Sequence, residues 1–389
     1  MWVGYRRRMS SSVIRAHWAA RFLFFCAGFL FATWGVHIPT VKDVYGLGVG
    51  AIGGLVLAAG LGSILGLTQA GWLIARHAPR TVAWWGGLLS AIAIALLLQM
   101  PGLVPLWALL ALYGAASGLL DVAMNADASE LERAQGRPLM SGFHGMFSLG
   151  GMVGAGLGGL LIKLQVPANA HLLGVALLSI ALVGWSVRQM APPAAGAAEH
   201  PAAKERFSLP RGRLALLGLL GGLGFVVEGA VYDWSVLFLN TERGATQQTA
   251  ALAYASFSAA MAATRFAGDR MRARWSSLAL LRGGAALAAA ALTLVLVSQS
   301  VWLALAGFAL VGVGLANIVP VLFSAAAQVP GVAPAHGISA VASVGYCGFM
   351  VGPSLIGFVA HGSSLTAALA MVVGLGVLTA LFAKRALRD

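Results

Sequence analysis

Two carboxyls, Glu228 and Asp233, stand inside the otherwise apolar run from Leu214 to Leu239, LALLGLLGGLGFVVEGAVYDWSVLFL. About 20 residues of helix cover the hydrocarbon core of a bilayer, so both acids are expected at membrane depth. Charge there is expensive, and an intramembrane acid is read first as part of a path for protons, ions or solute. Five residues of helix separate the two by about 7.5 Å along the axis and about 140° of rotation. They do not share a face, whereas Glu228 and Tyr232, four apart, do, and Tyr232 is read as a solute-binding residue. Glu228 lies near the middle of the run and is the candidate proton carrier. A carboxyl taken out of water holds its charge only beside a partner, so it can accept a proton from one side and release it when water or a cation arrives. Asp233, nearer the outer end, is read as a second coupling acid, with gating or structural bonding as equal alternatives.

Other polar residues in apolar surroundings are few. Asp121, a third candidate coupling acid, and Asn125 share a helical face by their spacing, and with Asn317 they offer donors and acceptors for hydroxyl or amine groups of a solute. Asn125 can equally end its span, and Asn317 can equally be a satisfied kink, because Pro320 frees a backbone carbonyl one turn earlier. Trp34 can stack on a sugar or aromatic solute, or anchor its span at the interface. His37, one turn on and also a candidate solute-binding residue, and His144 are either pH-sensitive gates or local hydrogen-bonding groups.

The elements that must position these groups follow from composition. Charged residues make up 10% of the 389 residues and hydrophobic ones 59%, with a mean hydropathy of +0.85; an ordinary soluble domain carries about 25% charged residues. Apolar blocks recur near 18-40, 49-70, 82-100, 105-125, 141-162, 170-190, 214-239, 249-267, 276-298, 301-324, 336-360 and 364-383. The expected fold is therefore an all-α membrane protein of twelve transmembrane helices in two pseudo-symmetric six-helix bundles. Residues 1-17 form an N-terminal tail, 18-190 the first bundle, 191-213 a Pro- and Ala-rich linker, 214-383 the second bundle and 384-389 a C-terminal tail. The basic start has the flank of a signal peptide, but the apolar stretch after it is too long, so it is read as a retained first helix. Met9 is a second candidate initiator.

The formal net charge of +13 does not point to nucleic acid. Of the 25 Lys and Arg, only Lys42, Lys163 and Arg243 fall in loops on the side opposite the termini. Such a bias orients a membrane protein with its basic loops inside, so both termini and the linker are expected in the cytoplasm, across the inner membrane of a bacterium. Cys26 and Cys347 lie within spans and are read as packing residues. No phosphate loop, HExxH or Cys/His cluster of metal spacing occurs, so no catalytic group, cofactor or metal is expected.

The halves echo one another. Phe31-Ala-Thr-Trp34-Gly35 resembles Phe225-Val-Val-Glu228-Gly229, and Gly118-Leu-Leu-Asp121 resembles Gly314-Leu-Ala-Asn317, each at the six-span offset of a duplicated transporter. Glycines four apart (Gly62 and Gly66; Gly150, Gly154 and Gly158; Gly348 and Gly352) form small-residue stripes on which other helices pack closely.

Twelve spans in two related halves, both ends inside, together resemble the major facilitator superfamily over the whole chain. The most specific local sign is the loop between spans 2 and 3, Gly71-Trp-Leu-Ile-Ala75-Arg76-His-Ala-Pro-Arg80, where the family pattern has an acid in place of Ala75. Its partner between spans 8 and 9, Arg265-Phe-Ala-Gly-Asp269-Arg270-Met-Arg272, keeps the acid and replaces the leading Gly with Arg265. The resemblance implies a gating latch on the cytoplasmic face from Asp269 with Arg265 and Arg270, lopsided because the half with Arg76 and Arg80 lacks its acid. The phrases around Glu228, Asp121 and Gly314 resemble the fucose-permease-like branch. That branch implies a monomeric, lipid-embedded secondary transporter that takes up a small polar or sugar-like solute with protons by alternating access. Proton-antiport export of drugs or metabolites is the alternative, and a membrane enzyme or transport-dead sensor is a remote one.

Overall fold

In hydrocarbon every backbone N–H and C=O must be satisfied within its own segment, so the apolar blocks fold as helices. The computed structural model describes residues 11–136, 139–190, 211–332 and 334–387. The first half comprises α1 (Ser11–Val44), α2 (Val49–His77), α3 (Pro79–Leu96), α4 (Leu103–Gln135), α5 (Met140–Lys163) and α6 (Ala168–Gln189). The second comprises α7 (Gly212–Glu242), α8 (Gln247–Arg274), α9 (Ser277–Val297), α10 (Val301–Leu315), α11 (Ile318–Ala326), α12 (Pro334–Gly362) and α13 (Leu365–Ala386).

The helices α10 and α11 are one span interrupted at Ala316 and Asn317. Pro320 has no N–H to return to the carbonyl of Ala316, and the chain breaks there. Among the described residues, eleven spans are long and apolar enough to cross a bilayer by composition. The twelfth is α8, long enough at 28 residues but too polar to qualify. Several helices outrun their apolar blocks. α4 continues ten residues past Asn125 to Gln135, so Asn125 does not end its span, and α1 runs through Pro39 to Val44.

The halves are built alike. In the first, α1 packs on α5 and α6, α2 on α4, and α3 on α4 and α6. In the second, α7 packs on α12 and α13, α8 on α10, and α9 on α10 and α13. The main contacts between halves, α5 with α8 and α2 with α12, are exchanged by the same pseudo-twofold relation. The first sequence echo maps onto this symmetry, since Phe31 of α1 faces Phe147 of α5 with ring centroids at 6.4 Å, and Phe225 of α7 faces Phe349 of α12 at 6.0 Å. The second does not map onto equivalent packing: Gly118 abuts Ser63 of α2, and Gly314 abuts Gly284 of α9.

Close helix approach rests on the glycine stripes. A Cβ on Gly62 would stand 1.9 Å from the carbonyl oxygen of Ala111 on α4, whereas one on Gly71, further along α2, would meet nothing within 4 Å. Backbone cannot yield there without moving a helix, and overpacking of this kind is worth about 1–3 kcal/mol or more. Gly62→Ala should therefore lower the thermal midpoint of the purified protein while Gly71→Ala leaves it unchanged or slightly raised. Equal midpoints for the two variants would show that the α2–α4 seam is not tight.

Two acids serve helix ends. Glu132 accepts from the backbone N–H groups of Leu139 (2.6 Å) and Met140 (2.9 Å) where α5 begins. Glu242 does the same for Leu365 (2.5 Å) and Thr366 (3.0 Å) at the start of α13, and also accepts from the Thr366 hydroxyl. A carboxylate on the free N–H groups of a helix start complements its dipole. Arg243 is the converse, donating to the carbonyls of Leu296 (2.6 Å) and Ser298 (3.0 Å) at the end of α9. Cys26 is buried, as a packing residue should be, but Cys347 is exposed.

Candidate functional site at the interface of the halves

Glu228 lies near the midpoint of α7 and is 6% exposed. Its partner is Arg265, whose Nη2 donates to Glu228 Oε1 at 3.2 Å while its Nη1 donates to Ser148 Oγ on α5 at 2.8 Å. Arg265 is itself 9% exposed. A guanidinium cannot discard its proton, so an arginine at this depth persists only beside an anion and acceptors. The cluster therefore joins α7 and α8 of the second half to α5 of the first. The sequence pattern placed Arg265 at the head of a loop motif, beside Asp269; the structure places it inside α8, pointing into the interface at Glu228. The reason is electrostatic, since a desolvated cation must be paired and Glu228 is a buried anion within reach.

Around the pair stands a shell of aromatic and hydroxyl groups. Tyr232, one turn beyond Glu228, is fully buried against Tyr254 and Phe257, with ring centroids at 4.9 and 5.0 Å. Its hydroxyl points at the sulfur of Met261, 3.7 Å away. Tyr254, Ser258, Met261 and Arg265 recur at helical spacing along one stripe of α8. The Ser258 hydroxyl and the ring edge of Tyr254 adjoin Gly151 of α5, and the buried hydroxyls of both have no hydrogen-bond partner among the described residues. Phe31, Phe147, Phe225 and Phe349 are half-buried, and Phe31 and Phe147 both face the Tyr232 ring. This is an apolar wall with one charge pair set into it.

Asp233 belongs to a different contact. It accepts from the indole N–H of Trp34 on α1 at 3.3 Å, and both residues are buried. Trp34 thus neither faces lipid nor presents a free face; it ties α1 to α7. Beyond it, toward the face opposite the termini, His37 and His171 of α6 share a hydrogen bond of 2.9 Å between ring nitrogens. His37 also meets Thr40 at 3.2 Å. Gln247, at the start of α8, donates to Thr40 Oγ1 (2.7 Å) and to the carbonyl of Val36 (2.9 Å). At the same level Gly53 of α2 touches Gly357 of α12, and Gly159 of α5 touches Gln248 of α8. The halves are closed on each other at this end. Nearer the terminal face α5 and α8 stay joined, with Ser141 donating to the carbonyl of Arg265 at 2.9 Å.

A model of the major facilitator superfamily matches residues 21–346. The chain belongs to that superfamily. An uncharacterised transporter of this type from Yersinia pestis is 36% identical over 356 residues, covering 91% of each chain. Among solved structures, a D-xylose–proton symporter superposes with a TM-score of 0.77 at 15% identity, over 97% of this chain and 99% of that one. FucP in its outward conformation superposes with a TM-score of 0.66 at 17% identity, over 97% of this chain and all of the other. At such identities the solved structures speak for the fold, and they agree with two six-helix bundles.

The remaining expected residues of this transporter fall into two groups. Asp121 and Asn125 stay together on α4, where the Asn125 amide donates to the Asp121 carbonyl (2.8 Å) and carboxylate (3.2 Å). Asn317 stands at the α10–α11 break, buried, with its amide toward the sulfur of Met271 on α8 at 3.6 Å. His144 packs edge-on against Phe24 at 5.2 Å, one turn from Ser148. Among the described residues of the latch, Arg265 pairs with Glu228 and not with Arg76, Arg80 or Arg270. Arg76 is exposed and lies over the ring of Trp72 on its own helix, at 5.6 Å; Arg80 and Arg270 are exposed; the side chain of Asp269 lies outside the described part of the structure, as does most of the linker. Sequence reasoning missed Ser148, Tyr254, Ser258 and His171. The stripe of α8 at spacings of four, three and four was the signal that could have found the second and third.

Proposed function

We propose that the protein is a proton-coupled carrier that takes up a small polar solute by alternating access, as a monomer in the cytoplasmic membrane of a bacterium with both termini inside. One observation carries the reading: a buried carboxylate, Glu228, is held at the interface of the halves by Arg265, which also reaches across to Ser148. A site whose charge state is tied to contacts between the halves links protonation to their rocking. Two structural neighbours, a D-xylose–proton symporter and a fucose–proton symporter, favour the same direction of coupling. The bias of Lys and Arg supports the orientation, and reporter fusions after Arg188 and at the C-terminus should be active only on the cytoplasmic side. Periplasmic activity at either would reverse the topology.

A second reading, export by proton antiport, is favoured by the half-buried wall of Phe31, Phe147, Phe225 and Phe349, which suits a larger apolar solute. The two readings differ in sign. In proteoliposomes carrying a pH-sensitive dye, solute added outside should draw protons inward with it if the carrier is a symporter, and drive them out if it is an antiporter. Solute movement without any proton flux would remove proton coupling from both.

A further inference from the structure

We propose that the Glu228–Arg265 pair selects for a monoanionic solute, a carboxylate, which binds Arg265 in place of Glu228 when Glu228 takes a proton. The inference rests on the proton-coupled reading above and narrows its substrate class.

A dry site does not tolerate a change of net charge. As it stands, the pair is neutral and nearly closed to water, with both residues under 10% exposed. Only one of its members can change charge: Glu228 can be protonated, while Arg265 remains a cation at any accessible pH. Protonation of Glu228 by itself would strand Arg265 as an uncompensated buried charge, which is strongly unfavourable. The vacancy on the guanidinium can be filled by an anion alone. A neutral solute leaves the charge unpaired, and a cationic one adds a second. A carboxylate matches the planar donor fork of arginine, with two parallel N–H···O bonds, and Ser148 already lies on the other arm at 2.8 Å. Proton and anion then arrive together, and the site is neutral before and after. A hydronium ion of the solution gives its proton to a Glu228 oxygen and is left as water, and no further covalent bond is made or broken. The half-buried rings of Phe31 and Phe147, which face Tyr232 one turn from Glu228, give the body of such a solute an apolar wall.

Other titratable groups near the pair do not offer the same exchange. Asp233 is held by Trp34 of α1, Tyr232 and Tyr254 of α7 and α8 are fully buried phenols, His144 of α5 is packed on Phe24, and Asp121 of α4 is engaged with Asn125.

Three probes of one shape and different charge test this: phenylacetate, 2-phenylethanol and 2-phenylethylamine, with acetate as a smaller anion. Binding to the purified full-length protein in lipid nanodiscs is followed by calorimetry in two buffers of different ionisation heat, which counts protons. Phenylacetate should bind tightest with uptake of about one proton, so its affinity should fall about tenfold per pH unit on the alkaline side. Glu228→Gln should keep phenylacetate binding but lose the proton uptake and the pH dependence. Arg265→Gln should weaken it by about tenfold or more. His144→Gln and Asp233→Asn should leave the proton count unchanged. Because Glu228→Gln leaves Arg265 unpaired, acetate or phenylacetate should also raise the melting point of that variant more than that of the unaltered protein. Tighter binding of the alcohol or amine, binding of neither anion, or a proton count that survives Glu228→Gln overturns the proposal. A neutral solute that carries protons only while Glu228 is present would overturn it and leave the proton-coupled reading standing.

Discussion

Glu228→Gln should abolish uphill transport driven by a pH gradient while leaving downhill exchange of solute measurable. Glutamine keeps the size and one hydrogen-bond acceptor of glutamate but cannot titrate, so the variant removes proton exchange from the midplane of α7 with little change of shape. A gradient of one pH unit is worth about 1.4 kcal/mol, which supports about a tenfold accumulation for one coupled proton. In proteoliposomes with that gradient the ratio of internal to external solute should fall to about unity in the variant. The halves still close through Trp34 with Asp233 and through Gln247 with Thr40 and Val36, none of which involves Glu228. Exchange of labelled for unlabelled solute should therefore continue. Accumulation that persists in Glu228→Gln would transfer the coupling role to Asp121 or Asp233.

The fold was largely readable because the bilayer imposes a simple code. Span number, the division into halves and the glycine seams follow from apolar length and small-residue spacing, and each is met in the packing of α1 on α5 and of α7 on α12. Span ends were less readable, because a helix such as α4 extends past its apolar block once its C-terminal turn is stabilised, here by Gly136 in the left-handed region at φ 60°. The site was half legible. Glu228 and Asp233 announce themselves as acids in an apolar run. Their partners do not, because Trp34 is 199 residues from Asp233 and His171 is 134 from His37, and a single sequence holds no record of such contacts. Arg265 was visible, but its contact with Glu228 was not. It stands four residues before Asp269 in a polar helix, where a loop pattern and a helical stripe look the same, and only tertiary packing decides which one Arg265 serves.

Arg265 and Glu228 should also be unequal in what their loss does to stability. Removing one partner of a buried ion pair costs about 3–5 kcal/mol, because the other is left as an unpaired charge. That cost can be escaped on one side only. In Arg265→Gln the orphaned Glu228 can take a proton and become neutral; in Glu228→Gln the orphaned Arg265 cannot lose one. Glu228→Gln is therefore expected to be the less stable single variant, by up to the full 3–5 kcal/mol, with Arg265→Gln between it and the unaltered protein. The double variant has no buried charge at this position, and it should recover to within about 1 kcal/mol of the starting stability, since well-packed neutral replacements of buried pairs are often nearly neutral. Thermal midpoints of the four proteins in one lipid composition, without added carboxylate, test the order. A double variant as unstable as Glu228→Gln would mean that the loss arises from packing around Tyr232 and Ser148, not from the stranded charge.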